Sequence, residues 1–116
     1  MPSALPPQLV AILMLAGSNI IMNLAWYGHL RFKSAPLLLV IVAAWGLAFF
    51  EYALQVPANR IGHQAFTAPQ LKGIQETLSI LGFFLVSTLW LGESISMKQL
   101  FGFALMVVAA ILIVGD

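Results

Sequence analysis

Long apolar runs separated by short polar knots set the pattern of this chain. Crossing the hydrocarbon of a bilayer takes about 20 apolar residues at ~1.5 Å per residue. Four segments reach or approach that length: about 8–27, 35–56, 68–91 and 97–114. The fourth is the shortest and should tilt least. The punctuation between them belongs to helices. Ser34 ahead of Pro36 fits a helix start with proline in the first turn. Thr67 with Gln70, and Ser96 with Gln99, have the spacing of a capping box. Pro57 is expected to end the second helix, since it lacks an amide proton and restrains Val56 before it. The expected fold is all-α: one integral membrane bundle of four transmembrane helices. Away from water, a helix satisfies its own backbone groups. All loops but 57–67 are short, which makes sequential helices antiparallel neighbours.

Composition strengthens this reading. The 116 residues are 61% hydrophobic and 8% charged, against roughly 45–50% and about 25% in soluble domains. A small soluble domain leaves too much side-chain area in water to absorb that excess, whereas a lipid bilayer accepts it. A net charge of +1 offers no footprint for nucleic acid. The absence of cysteine removes disulfides and thiolate metal sites. His29 and His63 lie far apart near predicted loops, and a metal site needs more convergent ligands. No metal or cofactor is expected. The opening "MPSALPPQ" lacks the basic residue of a cleavable signal, so the first apolar stretch reads as a retained helix. Four crossings put both termini on one side. Arg31, Lys33 and Lys98 belong to loops one and three, and Arg60 and Lys72 to loop two. Three against two fixes orientation only loosely. N-in, N-out and insertion both ways all stay open.

Against this apolar background the polar residues carry the chemistry. Of four acids, Asp116 is terminal, Glu93 falls in the third loop, and Glu51 and Glu76 fall inside predicted spans. With the second helix ending at Val56, Glu51 should lie ~7–8 Å from its end. Glu76 should lie a similar distance into the third helix, so that neither is at the midplane. Burial there disfavours a charged carboxylate unless a cation is close. Stripes at three- and four-residue spacing extend these sites. They comprise Ala48, Glu51 and Gln55 on the second helix; Glu76, Ser79, Phe83, Ser87 and Trp90 on the third; and Ala16, Asn19, Asn23 and Trp26 or Tyr27 on the first. Lipid cannot satisfy such stripes, so they should face the interior.

Two readings of these residues stay open. In one, Glu51 and Glu76 pair with Arg60 or Lys72, and the asparagines hold helices together. In the other, a desolvated glutamate alternates between a proton and a cationic substrate. Trp26, Tyr52 and Trp90 would then add cation–π contacts. Asn59 and Arg60 fall between Pro57 and Gly62 in a tight connection. Arg60 there is either a clamp returning to an acid or a bidentate contact for an anionic group.

The carboxy-terminal "LWLGESISMKQLFGFALMVVAAILIVG" resembles the drug/metabolite transporter superfamily, with its Gly-Glu turn and glycine-containing last helix. Glu93 and Gly102 are the matching positions. The four-helix length also resembles the small multidrug resistance proteins. The middle, "FFEYALQVPANRIGHQAFTAPQLKGIQETLSI", looks like a four-helix branch of the superfamily of unknown function. The resemblance implies transport and dimerisation through a glycine-containing heptad of the last helix, here by Gly102, Leu105 and Ala109, with Ala109 standing where the family's second glycine would be. Small multidrug resistance proteins carry a glutamate in the middle of the first helix, where "LMLAGSNIIMN" has Gly17 and Ser18 instead. Polycation export through that acid cannot be carried over, and any coupling carboxylate must be Glu51 or Glu76.

The leading expectation is therefore a small-solute transporter subunit, with proton coupling as an option. It would act as a homodimer in a bacterial inner membrane, with Glu51, Gln55, Glu76, Ser79, Asn19 and Asn23 lining the path. The alternative is a non-transporting accessory or structural bundle. An enzyme is not expected, for the chain offers no nucleophile–base pair and no phosphate loop.

Overall fold

The structure, a computed structural model, describes residues 5–116. Part of the opening stretch read as lacking a signal, Met1–Ala4, lies outside the described residues. Helix α1 spans Pro7–Tyr27 and runs into a 3-10 turn, Gly28–Phe32. Helix α2 spans Leu37–Gly62, and α3 spans Ala68–Leu85 and continues as a π-helical turn, Val86–Trp90. Helix α4 spans Met97–Val114. All four are long and apolar enough to cross a membrane.

Both capping boxes form. Thr67 and Ser96 accept from the amides of Gln70 and Gln99, whose side chains return to the cap amides. Each such cap contributes about 1 kcal/mol. Helix α2 starts otherwise than expected: Pro36 is its N-cap and no side chain caps it. Pro57 does not end α2 either. The helix continues through it to Gly62, which leaves 63–67 as the second loop. Pro57 forfeits the hydrogen bond to the Ala53 carbonyl. The following turns are held by packing, because Ala58 is fully buried in a cluster with Leu15 of α1 and Leu71 of α3. In a membrane, ending the helix early would strand more backbone groups than the one proline does.

Helix α1 is the centre of the bundle. It packs against both α2 and α3, while α4 packs on α3. Its buried residues Ala11, Leu15, Ser18 and Ala25 follow heptad-like spacing, the pattern of a long helix–helix seam. Asn19 and Asn23 lie on an adjoining strip facing α3. There Gly82 permits close approach, since a Cβ on it would sit 3.0 Å from Asn23 Nδ2 and 3.3 Å from the Asn19 carbonyl oxygen. At the far end Trp90 ties the two irregular turns together. Its indole donates to the Gly28 carbonyl at 2.9 Å, and Arg31 stacks over its ring at 4.4 Å. Gly92 then reverses the chain with φ +71°, a conformation that disfavours a Cβ. Helices α2 and α4 keep wide apolar faces exposed, including Leu38, Trp45 and Phe49 on α2 and Phe101, Leu105 and Leu112 on α4.

Candidate functional site

Continuation of α2 past Pro57 relocates Glu51. It lies 14 residues after Leu37 and 11 before Gly62, or about 21 Å and about 16 Å from the helix ends. The expectation of a carboxylate near the interface is thus corrected: Glu51 sits near the middle of α2. Glu76, eight residues into α3, is about 12 Å from its start.

Glu51 is buried to 2% exposure and belongs to a polar chain contributed by three helices. Ser18 Oγ of α1 lies 2.9 Å from Glu51 Oε1 and 2.8 Å from Gln55 Oε1. Gln55 in turn donates through Nε2 to Gln75 Oε1 of α3 at 2.6 Å. Glu51 and Gln55 are one turn apart on α2, so their side chains converge on one hydroxyl. That hydroxyl carries a single proton, and an amide oxygen can only accept. With Ser18 donating to Gln55, the short contact to Glu51 is a hydrogen bond when the carboxyl holds a proton. The carboxyl also borders a groove of about 320 Å³ between α1 and α2, walled by Met22, Trp26, Trp45 and Tyr52.

On its α3 side, α1 presents the asparagines. Asn19 Nδ2 donates to the Leu15 carbonyl. Asn23 Nδ2 donates to the carbonyls of Asn19 and, across helices, of Ser79 at 3.1 Å. Asn19 Oδ1 is buried without a hydrogen-bond partner among the described residues. A second groove, about 550 Å³, includes Asn23, Trp26, Glu76, Ser79 and Phe83 in its lining. Trp26 borders both grooves and is itself exposed, as is Tyr52. The structure therefore brings Asn23, Glu76 and Ser79 together in one groove and Glu51 with Tyr52 in the other. Gln55 is buried behind Glu51.

The clamp expected of Arg60 does not form. Among the described residues the ion pair is Lys72–Glu76, at 2.8 Å and partly exposed, one turn apart on α3. Nine residues of unbroken helix place Arg60 about half a turn round from Glu51 and about 13 Å along α2. It lies instead in an open cleft of about 730 Å³ with Asn59, His63, Lys72 and Gln75. On α4, Gly102, Leu105 and Ala109 are all exposed on one face, and a Cβ on Gly102 would meet nothing within 4 Å. Among the described residues no three His, Cys, Asp or Glu side chains gather as a metal site.

Gln75 was not singled out by the sequence reading, and Ser18 was named only as standing, with Gly17, where small multidrug resistance proteins carry a glutamate. Ser18 falls on the spacing of Ala11, Leu15 and Ala25, and Gln75 on that of Leu71, Leu78 and Gly82. A polar residue on a buried apolar stripe was the signal, but each stripe alone leaves its partner unnamed.

No curated protein and no solved structure matches the chain. A family model does, described as "Putative member of DMT superfamily (DUF486)", over residues 11–114. The match spans α2, α3 and α4 whole and all but the first turn of α1, and the chain belongs to that family.

Proposed function

We propose that this chain is a subunit of a small-solute transporter, working as a homodimer in a bacterial inner membrane and coupled to protons through Glu51. The observation that carries the reading is Glu51 itself. It is a buried carboxyl near the middle of a membrane-length helix, without a cationic partner among the described residues, bordering an aromatic groove. Ionisable groups at that depth are costly and mark ion or substrate pathways. Glu76 and the asparagines have a different character. Glu76 is held by Lys72 and Asn23 bridges α1 to α3, which favours a packing role for them beside the path.

Two copies suit alternating access, which uses paired repeats around a central site. The face bearing Gly102, Leu105 and Ala109 has the small residues and the free surface for close helix contact. The test is solid-supported-membrane electrophysiology on reconstituted protein, challenged with small cations, amines and metabolites. A solute-dependent current in wild type, abolished in Glu51→Gln, is expected. An unchanged current in that variant would remove Glu51 from the path. Silence from wild type throughout would favour an accessory role for the chain.

A further inference from the structure

The cleft between the end of α2 and the start of α3 is not explained by the proton path. Arg60, His63 and Lys72 surround it, with Asn59 and Gln75 supplying amides and Ala68 placing the first turn of α3 at its edge. Among the described residues Arg60 has no carboxylate partner, and the acid that faces Lys72, Glu76, is not part of the lining. A helix start adds partial positive charge. A guanidinium, an ammonium and amide donors around one open volume are the chemistry that receives an oxyanion.

Gln75 joins this cleft to the membrane interior. Its Oε1 accepts from Gln55, and its amide nitrogen has no hydrogen-bond partner within the described chain. Donor counting gives the Glu51–Ser18–Gln55–Gln75 chain two directions. With a proton on Glu51, the carboxyl donates to Ser18, Ser18 to Gln55 Oε1, and Gln55 Nε2 to Gln75 Oε1. The Gln75 amide nitrogen is then free to donate into the cleft. With Glu51 ionised, Ser18 must donate to the carboxylate. Gln55 turns over to donate to Ser18, Gln75 turns over to donate to Gln55, and its oxygen is left for the cleft. The first direction offers an anion a donor, and the second opposes it with an acceptor.

We propose that this cleft binds a small oxyanion of the phosphate or carboxylate type, and that its occupancy is tied to the proton on Glu51 through Ser18, Gln55 and Gln75. For its place in transport the proposal rests on the reading above, but binding is measurable without transport. Linkage is reciprocal: an anion in the cleft favours the proton on Glu51, and the proton favours the anion. Few other titratable groups face this chain. The groove beside Glu51 is lined by Tyr52 from α2 and by no titratable side chain of α1. Lys72 and Glu76 of α3 hold each other. His63 at the cleft is the group that could take up a proton independently.

The test is calorimetric titration of full-length protein in neutral maltoside micelles with sulfate, whose charge is constant across the working pH range. Buffers of different ionisation enthalpy report the protons taken up per anion bound. Saturable binding with proton uptake is expected. Arg60→Ala should weaken it about tenfold or more, the scale of a lost hydrogen bond to a charged group. Lys33→Ala, at the opposite end of the molecule, should leave it unchanged. Glu51→Gln, whose amide donates to Ser18 as the protonated acid would, should keep binding and lose proton uptake. Ser18→Ala should likewise bind with reduced uptake. Displacement of sulfate by phosphatidylglycerol, but not phosphatidylcholine, would identify a lipid headgroup as an occupant. Sulfate that phosphatidylglycerol cannot displace would identify a free solute site, and either result upholds the anion chemistry. No saturable binding of sulfate or phosphatidylglycerol, affinity indifferent to Arg60→Ala, or equal proton uptake in wild type, Glu51→Gln and Ser18→Ala would overturn the proposal. Linked binding in a protein that passes no current would sink the transporter reading and leave this one standing. A Glu51-dependent current without anion binding would do the reverse.

Discussion

Ser18 decides what Glu51 can do. A carboxyl in a membrane helix needs a partner, and sequence distance suggested Arg60. The partner is instead a hydroxyl from another helix, shared with Gln55. Removing it strands two buried polar groups at once, and a buried group left unpaired costs about 1–3 kcal/mol. Ser18→Ala should therefore lower thermal stability in detergent by an amount in that range, although it deletes a single oxygen. Ser18→Thr, which restores the hydroxyl, should recover part of the loss. A wild-type melting temperature for Ser18→Ala would mean that the contacts around Ser18 contribute nothing. Glu51 was legible in the sequence because an acid in an apolar run stands out. Its partners were not, because a serine and a glutamine on apolar stripes become a site only when α1, α2 and α3 are brought together.

Helix starts and stops obeyed local chemistry unevenly. Thr67 and Ser96 announced α3 and α4 because a capping box satisfies its amides within four residues, whatever the rest of the fold does. Pro57 misled because its local cost is outweighed by contacts far along the chain, namely Ala58 against Leu15 and Leu71. The six residues from Pro57 to Gly62 that α2 adds beyond Val56 moved Glu51 from near the interface to the middle of its helix and turned Arg60 away from it. Pro57→Ala should restore a hydrogen bond to the Ala53 carbonyl. It should raise stability by about 1–3 kcal/mol, as removal of a helix-interior proline does. If α2 ended at Val56, the same change would leave melting in detergent unaltered. The π-helical turn at Val86–Trp90 lay outside sequence reasoning, since it exists to deliver Trp90 to Gly28 on the opposite turn.

For the molecule as a whole, hydropathy alone gave four membrane-length helices, because bilayer thickness imposes one length on every span. Arrangement around α1 was hidden, since helices with apolar residues on most faces do not declare which face is inside. The faces left over on α2 and α4 are the surfaces offered to lipid or to a second copy. A dimer through α4 predicts that Leu105→Cys, in a chain with no native cysteine, forms a disulfide-linked dimer in membranes under mild oxidation. Leu38→Cys on α2 should not. Equal cross-linking at both positions would count against an α4 interface.

The transport proposal stands on the Glu51 carboxyl lying inside the bilayer on a groove open to small molecules. Reaction of membranes with a hydrophobic carbodiimide, followed by mass spectrometry of the modified acids, tests that placement directly. Glu51 should be modified first, ahead of Glu76, Glu93 and Asp116, and a water-soluble carbodiimide should reverse the order. Modification of Glu76 ahead of Glu51 by the hydrophobic reagent would contradict the placement, and with it the role of Glu51.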